Sequence, residues 1–312
     1  MEMILTVTLN AAIDKRYVVE NFKIGEVMRV KECNCTAGGK GINVSKVAAI
    51  AGEKVLATGF VGGHAGAYLE ETLEKAGIAS DFVHAEGETR SCINIFDSVT
   101  RTQTEFLEPG ITVTQKDIDA FLLKYQELVR QSDVISISGS VPRGVDETLY
   151  QKLIAIAKEA GKKVLLDTSG KLLEAGIAAK PSFVKPNGDE IRALLGREIS
   201  DEHSAAEAAK ALCSQGIETV VVSLGKQGAV AACAEGVYYA IPPEVEVVNT
   251  VGCGDSMVAA FAVGFRRGLP VQECLRLATA VSSSNAHCVE TGHYIPAEAE
   301  ELLSKVEIRS LG

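Results

Sequence analysis

From residue 115 onward the chain alternates short apolar runs with amphipathic stretches, and this alternation limits the folds open to it. Helical periodicity over 115–130 leads to an apolar run at 134–138. A second helix over 146–160, stopped by Gly161, leads to 164–167. The run 183–185 precedes a helix over 188–195, and a helix over 204–215 precedes 219–224. Segments 229–233 and 237–241 read as a hairpin. Helices after Asp255, near 271–288 and near 297–305 complete the chain. Strands spaced by helices of this length build βαβ units and hence a mostly parallel sheet.

The first third is richer in strands. Residues 3–9 read as a buried strand from which Asn10 to Asp14 depart. Alternating segments around 17–19, 28–30, 82–83, 91–96 and 103–107 suggest a small half-exposed sheet added to the main body. Helices over 42–51 and 66–76 end at Gly52 and Gly77. The expectation is one α/β domain over 1–312, with lid strands from about 15–35 and 90–108.

Bulk properties exclude some functions. Hydrophobic content of 46% and charged content of 23% describe a globular protein with a large core. A net charge of −10 disfavours nucleic acid or an anionic membrane as partner, so an anionic substrate needs a local cationic cluster. The eight cysteines include no C-x-x-C pair, and the start is too short and Thr-rich for a signal segment, so a cytoplasmic setting is expected. The histidines lack zinc-ligand spacing.

Polar or glycine residues follow several predicted strands, where parallel α/β folds carry their ligands. They include Asp14, Ser138, Asp167, Lys185, Ser223 and the turn Gly252-Cys253-Gly254-Asp255. That turn opens a helix, so its unpaired N–H groups and the helix dipole favour an anion. Asp255 beside such a site is either a helix cap or a base serving phosphoryl transfer. Asn187 and Glu190 share one face of a helix start. They form either a capping box or a set suited to hydrated Mg²⁺. Gly38-Gly39-Lys40-Gly41 is not a Walker A loop, but with Asn43 it can hold an anion or sugar hydroxyls. Arg29, Lys40 and Arg90 are candidate ligands for a phosphate already on the substrate. The run Ser223-Leu224-Gly225-Lys226-Gln227-Gly228 suits close approach of a nucleotide, a hairpin turn, or both.

Taken together, Ala37-Gly38-Gly39-Lys40-Gly41-x-Asn43-Val44, Lys185-Pro186-Asn187-x-x-Glu190, Ser223-x-Gly225-x-x-Gly228 and Asn249-Thr250-Val251-Gly252-Cys253-Gly254-Asp255-Ser256 resemble the ribokinase and phosphofructokinase-B superfamily. The resemblance spans the whole chain. Thr6-x-Thr8-Leu9-Asn10-x-x-Ile13-Asp14, Gly87-Glu88-Thr89-Arg90 and Ser138-Gly139-Ser140-Val141-Pro142 lean to its ketohexose-monophosphate branch, the 1-phosphofructokinases and tagatose-6-phosphate kinases. Thr36-Ala37-Gly38-Gly39 and Thr291-Gly292-His293 favour the tagatose-6-phosphate side.

The resemblance implies a ribokinase-like three-layer sandwich with a β-sheet lid, an ATP- and Mg²⁺-dependent kinase, and a homodimer joined through the lid. It implies Asp255 as the base and the amides of Gly252, Cys253 and Gly254 as the anion hole. Asp14, Gly38, Gly39, Lys40, Asn43, Arg90, Ser138 and Arg29 match sugar-phosphate contacts. Lys185, Asn187, Ser223, Gly225, Gly228 and Asn285 match nucleotide positions, and Asn187 with Glu190 organises magnesium through water. Rivals are a kinase for an uncharged sugar or nucleoside, and a non-catalytic sensor on the same fold. Two departures carry consequences. Ala11-Ala12 replaces the usual Pro-Ser, which is expected to loosen the turn presenting Asp14. Cys253 replaces Ala or Ser at a helix N-terminus, where a low-pKa, oxidisable thiolate is a hypothesis.

Overall fold

The computed structural model describes residues 3–311. The strand Ile4–Thr8 lies in the middle of an eleven-stranded sheet, with parallel neighbours Val55–Val61 on one side and Val134–Ser138 on the other. Lys163–Asp167, Phe183–Val184 and Thr219–Ser223 continue the parallel run. The antiparallel strands Ala229–Cys233, Gly236–Ile241 and Glu307–Ser310 close one edge.

Side chains of the central strand alternate between two helical layers. Leu5 and Val7 enter the layer that holds the helices Gln115–Arg130, Thr148–Glu159 and Glu202–Cys213. Ile4 enters the opposite layer, with Lys40–Ile50, Gly63–Lys75, Cys253–Arg266 and Val271–His287. This makes three layers. Thr6 is buried on the central strand, where its hydroxyl finds a partner: Thr6 Oγ1 and Ser45 Oγ lie 2.6 Å apart. A Cβ at Gly41 would stand 2.2 Å from Thr8 Oγ1, so glycine lets the first helix press onto the strand end.

A separate four-stranded sheet is ordered Glu32–Gly38, Ala12–Val19, Arg90–Asp97, Thr102–Leu107. It departs from the sequence reading in three places, the first being the segment at 82–83, which pairs with Val55–Val61 of the main sheet instead. Asp14 lies within a strand rather than past one, and residues 28–30 are loop, their predicted strand lying instead at Glu32–Gly38. The helix Gly170–Ala178 and the strand Glu307–Ser310 were not anticipated. Both are short, and the strand is exposed apart from Ile308, so neither has a strong periodic signature. No helix among the described residues is long and apolar enough to cross a membrane.

Candidate active site

The chain runs from Ile4–Thr8 outward to Val55–Val61 and later returns on the other side at Val134–Ser138, so the sheet order reverses beside the first strand. At such a switch point, connections leave the strand ends in opposite directions and open a crevice. Here the crevice is a cleft of about 870 Å³ between the strand ends and the four-stranded sheet. Asp14, Gly39, Lys40, Asn43, Arg90, Lys185, Asn187, Ser223, Gly252, Gly254 and Asp255 all line it.

The helix Cys253–Arg266 begins at Gly252, whose φ of 88° is left-handed. A Cβ there would meet Gly292 N and Thr291 Cγ2, each at 2.9 Å. The N–H groups of Gly252 and Gly254 have no partner among the described residues and stand at the positive end of the helix. The Cys253 N–H differs: it closes a turn onto Thr250 O at 3.3 Å.

Asp255 is buried, and its Oδ2 accepts from Asn43 Nδ2 at 2.8 Å. Burial raises its pKa to about 6; Lys40 opposes this, and Asp167 adds to it. Asp14 is raised to about 6 as well, first by burial, with Lys46 and Arg90 pulling the other way. Gly38 has no side chain because a Cβ there would stand 2.1 Å from the Asp14 carboxyl carbon. The nearby Gly39 amide favours the charged form of that carboxylate. The turn before Asp14 is held by Asn10, whose Nδ2 donates to Ser140 Oγ at 3.2 Å and Pro109 O at 3.3 Å. The Ala11-Ala12 departure therefore leaves this turn tied to two other loops.

Asp167, noted in the sequence only as a polar strand end, is the electrostatic centre of the cleft. Its carboxylate is buried between Lys40 Nζ at 3.2 Å and Lys185 Nζ at 3.5 Å. Burial alone would raise its pKa, but the two ammonium groups outweigh this and hold it below the usual range. Burial likewise works against the charge on Lys40, and Asp167 followed by Asp255 overcomes it, so Lys40 is raised. A Cβ on Gly254 would lie 3.2 Å from Lys185 Nζ, so that ammonium stands beside the free amides.

Several candidates lie elsewhere. Arg29 is exposed on the loop between Ala12–Val19 and Glu32–Gly38 and does not line the cleft. Ser138 is buried beneath it, beside Ser136 Oγ at 3.2 Å, and Gly139 and Ser140 form the surface instead. Asn285 is fully buried, donating to His293 O at 2.6 Å. Gly225 and Gly228 belong to the turn after Thr219–Ser223; a Cβ on Gly228 would meet Ala240 O at 2.0 Å. The Cys253 thiol is pushed up to about 11 by burial and then by Asp255, which corrects the expectation of a low-pKa thiolate. The helix start lowers a thiol pKa only where the thiolate remains solvated.

Asn187 and Glu190 form the reciprocal capping box: each backbone N–H donates to the other's side chain at 2.9 Å. This leaves Glu190 Oε1 without a hydrogen-bond partner among the described residues. Burial raises the Glu190 pKa, and Lys40, Asp167 and Lys185 are near enough to act on it. No group of three or more His, Cys, Asp or Glu among the described residues could enclose a metal. One free carboxylate oxygen beside an amide fits a Mg²⁺ ion that keeps most of its waters.

The sequence reading missed Lys15 and Arg16, which line the cleft from the strand Ala12–Val19. The period-two spacing of Asp14 and Arg16 carried the signal, but only once Asp14 is known to lie in a strand.

Residues 3–298 match the model of the pfkB family carbohydrate kinases. A tagatose-6-phosphate kinase of Staphylococcus epidermidis is 38% identical over 309 residues, covering 98% of this chain and 99% of that protein. The solved structure of phosphofructokinase-2 from Escherichia coli has a TM-score of 0.90 at 28% identity, covering 98% of this chain and 99% of that one. A Thermotoga maritima structure described as a possible 1-phosphofructokinase also has a TM-score of 0.90, at 31% identity, covering 99% of this chain and 100% of that one.

Proposed function

The chain belongs to the pfkB family of carbohydrate kinases, and on that premise we propose that it transfers the terminal phosphoryl group of ATP to a ketohexose monophosphate. The product is a ketohexose 1,6-bisphosphate, and tagatose 6-phosphate is the preferred acceptor. The observation that carries this reading is the position of Asp255: a buried carboxylate, held by Asn43, beside the unpaired amides of a helix N-terminus.

In this reading Asp255 takes the proton of the acceptor hydroxyl as its oxygen bonds to the terminal phosphorus, and the bond to ADP breaks. The Gly252 and Gly254 amides and the Lys185 ammonium face the charge that spreads over the transferred group. Lys40 and Lys185 keep fixed positions because Asp167 holds both. Asp14 and Asn43 orient the sugar hydroxyls. Asn187 and Glu190 would hold Mg²⁺ through water, and the ion would supply neutralisation of phosphate charge. The four-stranded sheet acts as a lid that excludes water and so limits hydrolysis of ATP. Its exposed Phe106 and Leu107 suit a second copy of the chain, which sedimentation or light scattering tests.

A coupled ADP-release assay comparing kcat/KM for tagatose 6-phosphate, fructose 1-phosphate and fructose 6-phosphate tests the proposal. A preference for fructose 1-phosphate would make the chain a 1-phosphofructokinase, a reading supported by the Thermotoga maritima relative. ADP release with none of the three would end the proposal.

A further inference from the structure

Most cationic side chains of the cleft already donate to a protein partner. Lys40 and Lys185 are both bound to Asp167, at 3.2 and 3.5 Å. Arg90 directs Nε and Nη2 to Asn10 O at 3.2 and 3.0 Å, and Nη1 to Glu108 O at 3.1 Å. Arg29 lies outside the cleft. Arg16 is different. Its guanidinium makes no hydrogen bond or ion pair with any described residue, and it rests over the Phe96 ring, 4.9 Å from the centroid.

The strand register defines its place. Asp14 and Arg16 are two apart on one strand and so share a face. Arg16 stands opposite Asn34 on one neighbouring strand and Asn94 on the other. Glu105, the carboxylate in the same row, is opposite Asn94 and accepts from its Nδ2 at 3.2 Å. The amide therefore stands between that carboxylate and Arg16, while Asn94 Oδ1 is buried without a partner.

We propose that Arg16 is the specificity residue that binds the phosphate already carried by the acceptor sugar. This rests on the kinase reading above. The reacting hydroxyl belongs at Asp255, so the resident phosphate belongs at the far end of the sugar, beyond Asp14. Two residues along a strand carry Arg16 roughly 6–7 Å further out than Asp14. A guanidinium offers paired N–H groups to two phosphate oxygens, and its own charge need not be released from a carboxylate first. The Phe96 ring holds the guanidinium plane, which reduces the ordering cost of binding.

The test measures KM for the sugar phosphate and for ATP in wild type, Arg16→Ala and Arg16→Lys. Arg16→Ala should raise KM for the sugar phosphate at least tenfold and leave that for ATP within twofold, with Arg16→Lys between. An unchanged sugar-phosphate KM, or a rise in the ATP KM instead, overturns the assignment. Calorimetric binding of tagatose 6-phosphate to wild type and Arg16→Ala separates this from the kinase reading. If wild type turns over no sugar phosphate, the kinase reading fails, and loss of binding in Arg16→Ala still upholds Arg16. Equal binding by the two proteins, or binding by neither, removes it.

Discussion

Asn43 Nδ2 donates to Asp255 Oδ2 at 2.8 Å, joining residues 212 positions apart. One stands in the first turns of the helix that follows the glycine-rich loop, the other at the start of Cys253–Arg266. Those two helices pack together in one layer, so the bond fixes the carboxylate relative to the glycine-rich loop. Asn43→Ala removes this donor. The expected result is a fall in kcat of roughly tenfold or more, read by steady-state kinetics; a wild-type kcat would remove Asn43 from the mechanism.

Asp255→Asn should lower kcat by about 10²–10⁴, the usual reach of a general base. Nucleotide binding, followed by calorimetry, should persist because the Gly252 and Gly254 amides are untouched. Near-normal turnover would remove Asp255 from the role of base.

With Asp255 as the proposed base, kcat/KM should rise with pH through about 6 and level off above it. Stability moves the opposite way. The folded pKa lies above the unfolded value of 3.8, so the cost of ionising this buried group is absent below that value and complete above about 6. Its size is at most about 3 kcal/mol. Asp255→Asn should therefore melt higher than wild type at pH 8, with the gap closing towards pH 4. A gap that is the same at both pH values would contradict this.

Asp167→Asn removes a negative charge near Asp255 and releases Lys40 and Lys185 towards it. Both effects lower the Asp255 pKa, whereas loss of the Asn43 donor raises it. The acid limb of the pH profile should shift down in Asp167→Asn and up in Asn43→Ala, with kcat reduced in both. Shifts of the same sign in the two variants would refute this account of the charges.

The Cys253 thiol, pushed up to about 11, should resist alkylation at pH 7.5 under conditions that modify the exposed Cys33 and Cys35. Cys253→Ser should keep activity within a few-fold of wild type. Peptide mapping after iodoacetamide treatment, with an activity assay, checks both statements.

Much of this was legible in the sequence because it depends on local rules. Helices 115–130 and 188–195 and the strand at 134–138 were read to the residue, since periodicity and capping are written in neighbouring positions. The glycine turn before Asp255 and the Asn187/Glu190 pair were legible for the same reason. What the sequence left open was which of two local roles prevails. Asn187 and Glu190 are a capping box and also leave one carboxylate oxygen free.

Tertiary structure alone decided where charge is spent. Asp167 looked like one polar strand end among several until folding buried it between two lysines from distant segments. Arg29 looked like a phosphate ligand, yet folding leaves it outside the cleft, while strand register sets Arg16, which had no signal of its own, on the Asp14 face within it. Electrostatic partners are chosen by distance in space and by loss of solvent, and neither is encoded in the spacing of residues along the chain.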